Sequence, residues 1–345
     1  MTSTNESEPG IAGLSLALRS LHNCVASTSL SDWLPHLEPA PTWIPLIPAW
    51  GVTRVMPVFP NSGRYPALIE SIWQSLTLKE AVEWRGKSYE LTGIEVNKES
   101  LHVLQIALSF TAPQPQDLGG AIRALVFNWL ATADAALASR LQRDNCPPFT
   151  VAIQSSGSYG LLLRITLLQR ELLAPLLWGL RDDLGREVIL ADIPCRLGKW
   201  IDIAHKCSFE SLCQVPPTNA ICASQQRFAI ALEFLSPTSF KQSQTIQPFP
   251  LPELVFGNLL RRWNTFAPIE LQFPNLEWQG VVSAYNLKTR TLTLNSTAEI
   301  GTTGWVKYRF NDPQQVKVAT ILAHFAEFAG VGRKTGMGMG QVRIR

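Results

Sequence analysis

Apolar residues along this chain follow two periods, and those periods alternate in a fixed order. Leu101–Phe110 is a continuous apolar run of strand length. Gly119–Ala133 follows with Ile122, Leu125, Val126, Trp129 and Leu130 at helical spacing. Two short runs at 149–154 and 159–168 are joined by Ser155-Ser-Gly-Ser, which is turn chemistry. A helical stretch at 170–184 and a strand at 187–193 complete the order β-α-β-β-α-β, with a short extra helix at 134–142. This is the order of a ferredoxin-like unit.

The order then recurs. A strand at 228–235 precedes a helix at 252–263 that places Phe256, Leu259, Leu260 and Trp263 on one face. Strands at 278–286, 290–294 and 305–310 form the middle, and a helix at 313–328 buries Val318, Ile321, Leu322 and Phe325. A strand at 341–345 closes the unit. The predicted fold class is therefore α+β, with two tandem ferredoxin-like (RRM-like) domains at 99–207 and 227–345 and a linker at 208–226.

Residues 1–98 stay outside this repeat and read as an N-terminal extension packed on the first domain. Pro35, Pro39, Pro41, Pro45, Pro48, Pro57, Pro60 and Pro66 predict an extended, irregular stretch. A helix around Ile69, Ile72, Trp73 and Leu76 and a strand at 89–96 follow it.

Composition adds little to this picture, and charge distribution adds more. With 46% hydrophobic residues, 17% charged residues and a net charge of +3, the chain is an ordinary globular protein and no polycation. From Lys317 to the end, however, Lys317, Arg333, Lys334, Arg343 and Arg345 face one acid, Glu327, which suits a local anionic partner. Six cysteines include no CxxC pair, and the spacing of His205, Cys207, Cys213 and Cys222 matches no common zinc module. Neither a metal nor a cofactor is expected. The N-terminus has no leader pattern and apolar runs stop short of membrane length, so the expectation is a cytoplasmic protein with no membrane partner.

The candidate chemistry lies in the last sixteen residues. Gly330, Gly332, Gly336, Gly338 and Gly340 bracket the pair Arg333–Lys334. Glycine permits close backbone approach and interleaved cations supply charge for phosphates. A nucleotide P-loop is excluded, because Arg333 rather than Gly precedes Lys334-Thr335 and a strand rather than a helix follows. A plain glycine-rich turn before a last strand remains the alternative.

Two such units, with a glycine-rich loop between the final helix and final strand, resemble the CRISPR-associated repeat-cleaving endoribonucleases. Those belong to the repeat-associated RNA-binding superfamily. The likeness is carried by 330–340 (GVGRKTGMGMG), by 232–241 (LEFLSPTSFK) with 250–264 (PLPELVFGNLLRRWN), and by 122–150, including LVFNWL at 125–130. It covers residues 100–345.

The resemblance implies binding of CRISPR repeat RNA and one cut per repeat, by metal-free attack of a 2′-hydroxyl on the scissile phosphate. For RNA binding it points to Arg333, Lys334 and the loop glycines, with Arg261 and Arg262 as further candidates. The sequence departs from the family at the catalytic positions. The usual acid/base histidine falls on Gln142, an assisting tyrosine on Phe127, and a lysine within Asn145-Cys-Pro-Pro148, where there is none. An amide cannot exchange a proton near neutrality. Gln142, with Arg140 and Arg143 beside it as phosphate clamps, is thus what remains for catalysis. His22, His36, His102, His205 and His324 are the imidazoles available, and each reads as structural. Two alternatives follow: a repeat-RNA-binding protein without cleavage, or a backbone subunit of a CRISPR effector complex.

Overall fold

The computed structural model describes residues 10–345 apart from 23–25, 27, 33, 35–36, 50, 78–80, 112–117, 158–159, 217–228 and 295–296. The middle of the chain follows the predicted order closely. Strand β7 (Leu101–Phe110) is buried along most of its length, as its unbroken apolar run requires. Labels run in chain order, β1–β6 and α1 lying in the N-terminal part. Helix α2 (Gly119–Ala133) buries Ile122, Val126, Trp129 and Leu130 on one face. Asp134 then starts α3 (Ala135–Arg143) by accepting from the amides of Ala136 and Leu137, both at 2.9 Å. Strands β8 (Phe149–Ser156) and β9 (Gly160–Leu167) form the hairpin, and α4 (Leu173–Leu180) returns over the sheet.

One strand differs from expectation. The run at 187–193 supplies only β10 (Glu187–Leu190), the short arm of a hairpin. The strand that pairs with β7 is the longer β11 (Ile193–Cys207). Its exposed polar positions and Gly198 conceal it from an apolar-run reading. The order β11-β7-β9-β8 is that of a ferredoxin-like sheet.

After α5 (Phe209–Cys213), the C-terminal unit is built from β12 (Ala229–Thr238), a small hairpin β13 (Phe240–Gln242) and β14 (Thr245–Gln247), α6 (Pro252–Phe266), β15 (Gly280–Leu294), β16 (Thr297–Phe310), α7 (Pro313–Ala329) and β17 (Val342–Ile344). The three runs expected at 278–310 are two long antiparallel strands instead. The order β17-β12-β16-β15 repeats that of the middle unit. Trp263 anchors this core: fully buried, it stacks on Phe273 at 5.4 Å and donates Nε1–H to the Leu271 carbonyl at 2.8 Å.

The N-terminal part is more regular than its prolines suggest. Strands β1 (Gly13–Ser20), β3 (Thr42–Ala49), β4 (Val52–Val58) and β6 (Lys87–Asn97) lie in the order β6-β1-β4-β3, with α1 (Tyr65–Thr77) between β4 and β6. That is again the ferredoxin-like strand order, with no helix among the described residues between its first two strands. Leu30 and Leu34, from the segment in that helix's place, are buried in the same cluster as Leu16, Phe59 and Tyr65. Short strands β2 (Thr28–Ser29) and β5 (Val82–Trp84) extend the outer edge. Pro45 and Pro57 sit within the β3–β4 hairpin, so the expected irregular stretch is largely sheet. Strand β3 lies parallel to β11, Leu46 facing Ile201, and joins the N-terminal and middle units into one sheet of 11 strands among the described residues.

Candidate nucleic-acid interface

The C-terminal unit meets the middle unit through a helix face and a loop. Helix α7 lies against the middle sheet, where Arg164 Nη2 donates to the Glu327 carbonyl at 2.8 Å and Thr150 Oγ1 to that of Phe328 at 3.4 Å. Beyond α7 the chain enters the glycine-rich loop with Gly330 at φ +64°.

Close packing explains the glycines. A Cβ at Gly340 would stand 2.0 Å from the Val331 carbonyl oxygen, and one at Gly332 would stand 2.4 Å from that of Ser239. Gly330, Gly338 and Gly340 also hold positive φ, whereas Gly336 packs near Arg123 and Pro147. The loop is anchored to its surroundings. Gly332 N–H donates to Asn258 Oδ1 (2.9 Å), Arg333 N–H to Ser239 O (2.9 Å), Met337 N–H to Lys334 O (2.9 Å) and Gly340 N–H to Pro237 O (3.1 Å). These amides are engaged inside the protein, so side chains carry the charge that faces outward.

A groove of about 1100 Å³ opens beside this loop. One wall is the α3–β8 connection from Gln142 to Pro147, with Arg123 of α2. The other holds Lys241 of β13 and, on α6, Gly257, Asn258 and Arg261; residues 332–337 supply the lip. Seven Lys or Arg line the groove against two carboxylates, Asp144 and Glu253. Low-dielectric walls bearing one sign of charge focus potential on a bound anion.

The expected site residues fall at different depths. Gln142, Arg143, Arg261, Arg262, Arg333 and Lys334 line the groove, whereas Arg140 is exposed on α3 and outside its lining. Arg143 donates Nε–H to the Ser139 carbonyl at 3.2 Å. Arg262 is 4% exposed and lies under the loop, donating from Nη1 to Thr335 Oγ1 at 2.8 Å. Its Nε and Nη2 are buried without a partner among the described residues, and burial lowers its pKa. Its place is the foundation of the loop.

Arg333 and Lys334 share one acid, Glu299 of β16. Arg333 Nη1 reaches Glu299 Oε2 at 2.9 Å, and Lys334 Nζ reaches Oε1 at 2.7 Å. Glu299 is 8% exposed. The Lys334 hydrogen bond, and then that of Arg333, hold its carboxyl below the usual range despite desolvation. Glu299, Lys241, Asn258 and Arg123 had no part in the expected site. Glu299 could not have been found from sequence, because 34 residues separate it from Arg333. Lys241 at least lies in the Ser-Pro-Thr stretch already singled out.

No histidine among the described residues lines the groove. His102 is buried, His205 stacks on Phe328 at 4.9 Å, His324 lies on α7 and His22 is exposed; His36 is outside the described residues. Phe127, at the assisting tyrosine's position, is core and meets Phe149 edge-on at 5.3 Å. No group of His, Cys, Asp and Glu among the described residues could hold a metal ion, and Cys222 of the suggested cluster lies outside them. No helix among the described residues is long and apolar enough to cross a membrane.

A basic groove between ferredoxin-like units, closed by a glycine-rich loop, defines a class of tandem ferredoxin-like proteins suited to an extended polyanion. Comparison with known proteins narrows this. The family model described as CRISPR-associated endoribonuclease Cas6 matches residues 232–342. The CRISPR-associated endoribonucleases Cas6 of two Mycobacterium tuberculosis strains are 34% identical over 120 residues, 33% of this chain and 38% of theirs. The chain thus aligns with little more than a third of those relatives' length. A solved Cas6 product complex is 25% identical with a TM-score of 0.61, the match covering 72% of this chain and all (100%) of that one. Thermus thermophilus Cas6 gives 25% identity and 0.54, over 72% and 99%. Likeness to Cas6 endoribonucleases thus extends over residues 232–342 in the family model, and likeness to a solved Cas6 protein over 72% of the chain.

Proposed function

We propose that this protein binds CRISPR repeat RNA in the groove between its middle and C-terminal units and cuts the precursor transcript once per repeat. The observation that carries this is the groove's excess of cations, set beside a glycine-rich loop whose matching family is an endoribonuclease family. Phosphate contacts position an RNA chain along such a surface, and the loop's rigid lip fixes its register. The domain division 99–207, 208–226 and 227–345, with the N-terminal unit before it, and a cytoplasmic location form part of this reading.

Cleavage proceeds by in-line attack of the 2′-hydroxyl on the adjacent phosphate, giving a 2′,3′-cyclic phosphate and a 5′-hydroxyl. The chain supplies geometry and charge. The groove walls splay the nucleotide, and Arg143 and Arg261 face the negative charge that grows on the phosphorane. Gln142 orients and transfers no proton, so water takes the 2′-hydroxyl proton and protonates the leaving 5′ oxygen. General acid–base catalysis is typically worth about 10²–10⁴-fold, so turnover is slow by that measure. The test is incubation with repeat RNA in EDTA, beside an RNA carrying a 2′-deoxy sugar at the cut site. Discrete products from the first alone support the reading, and an uncut first RNA sinks it.

That no imidazole among the described residues lines the groove, with Gln142 and Phe127 at the usual catalytic positions, favours a second reading, a protein that holds repeat RNA without cutting it. Tight EDTA-insensitive binding with intact RNA is its signature. A role as backbone subunit would instead appear as stoichiometric copurification with large effector subunits.

A further inference from the structure

The lip of the groove carries its own anion. Two cations, Arg333 and Lys334, reach the same carboxylate, one on each oxygen of Glu299, at 2.9 and 2.7 Å. The carboxylate spans them as the two non-bridging oxygens of a phosphate would. Strand pairing holds it there: Glu299 lies opposite Leu292 near the end of the β15–β16 hairpin. That hairpin end is pinned in turn by Leu294, which is buried against Gly119 at the start of α2. The side chain of Glu299 is 10% exposed, against 27% and 26% for its partners. The cations therefore present their outer faces to the groove while their inner faces are occupied. Arg261, on the opposite wall, has no ion-pair partner among the described residues.

We infer that Glu299 is a specificity-determining residue for RNA: it neutralises the lip so that Arg333 and Lys334 do not capture phosphodiesters indiscriminately. An RNA that touches the lip alone meets two cations and one anion and gains little. An RNA that also fits the α3–β8 and α6 walls gains contacts enough to draw the pair of cations onto its backbone. Discrimination arises because the anion weakens the shared electrostatic contribution that every RNA receives, leaving the fitted contacts to decide. This rests on the RNA-binding reading above, and the experiment separates the two.

Affinity is measured against salt for repeat RNA and for an unrelated single-stranded RNA, with thermal melting as the control for folding. Glu299→Gln is expected to tighten the unrelated RNA severalfold and steepen its salt slope by about 0.7, the increment for one more phosphate contact on a single strand. The ratio of repeat to unrelated affinity falls accordingly. Glu299→Asp retains the wild-type ratio. With Arg333→Ala and Lys334→Ala in place, adding Glu299→Gln changes nothing.

Unaltered or weaker unrelated binding by a folded Glu299→Gln protein overturns the inference, as does equal tightening without the two cations. If Glu299→Gln does not fold, single variants decide: for unrelated RNA, Arg261→Ala flattens the salt slope more than Arg333→Ala. Equal flattening overturns the inference. A wild-type protein with no preference for repeat RNA sinks the functional reading instead, a result visible before any variant is made.

Discussion

The middle unit meets its two neighbours in different ways: the C-terminal junction holds a groove of about 1100 Å³, the N-terminal one a cavity of about 300 Å³. On the N-terminal side β3 pairs with β11, and one hydrophobic cluster runs from Ile44 and Met56 to Ile106 and Leu176. On the C-terminal side α7 lies over the sheet and the glycine-rich loop packs against β8 and α2. Paired strands stand about 4.8 Å apart, whereas packed layers stand roughly 10 Å apart. The first arrangement merges two sheets; the second leaves loops free at the rim. Three units share one strand order, and the mode of joining decides where a polyanion fits.

The ion pairs repeat the contrast. Each junction has a carboxylate held by an arginine and a lysine. At the N-terminal junction Glu95 pairs with Arg54 and Lys206, and its side chain is 48% exposed. At the C-terminal junction the counterpart, Glu299, is 10% exposed. Exposed pairs are screened and contribute little, whereas a buried carboxylate removed from its cations leaves them uncompensated.

Acid should act on the two junctions at different pH, and this is the largest effect expected. His102 begins the strand after the N-terminal unit, accepts at Nε2 from Asn97 at 2.9 Å, and has a pKa lowered to about 3, by burial first and then by Lys206 and Arg170. Its unfolded pKa is near 6.5. Because the unfolded chain binds the proton first, stability is complete above pH 6.5 and declines as pH falls toward 3, by on the order of 4 kcal/mol in total. Glu299, whose pKa is depressed, contributes above the ordinary carboxylate range and is lost only as pH falls below it. Urea unfolding between pH 7 and 4 should therefore show a decline that His102→Gln reduces. Equal slopes for the two proteins would break the comparison.

Next in size is backbone packing. Gly340→Ala adds a clash at 2.0 Å to a positive φ and should cost about 3 kcal/mol with loss of RNA binding. Gly51, in the β3–β4 turn at φ +75°, has nothing within 4 Å of a Cβ, so Gly51→Ala should cost about 1 kcal/mol and leave RNA binding intact. Thermal melting with an RNA titration reads both. Similar in free energy is Gln142→His, which restores a proton-transfer group to the groove wall. It should raise single-turnover cleavage on the order of 10²-fold, with a pH optimum near the imidazole pKa. Smallest is Glu95→Gln, for which less than about 1 kcal/mol is expected, with no change in RNA affinity.

Much of this fold was legible where burial is continuous or one-sided. Strand β7 and helix α2 begin and end where their apolar patterns do, because both are packed along the whole matching face. The N-terminal sheet was hidden by prolines, which mark turns more often than hairpin strands; Pro45 faces Val55 across such a hairpin. Strand β11 was hidden by its exposed residues, since it carries buried side chains on only part of its length. Within the site, local glycine and cation spacing revealed the lip. The burial of Arg262 and the Glu299 clamp depend on contacts 73 and 34 residues apart, which no local pattern encodes.

The central claim is that repeat RNA lies at the C-terminal junction and not at the N-terminal one. Amide hydrogen exchange of the whole chain, with and without its repeat RNA, tests it directly. Protection of 142–147, 241–258 and 332–337, with β1, β4 and β6 unchanged, is the predicted result. Protection confined to the N-terminal sheet, with the glycine-rich loop exchanging as before, would contradict the account.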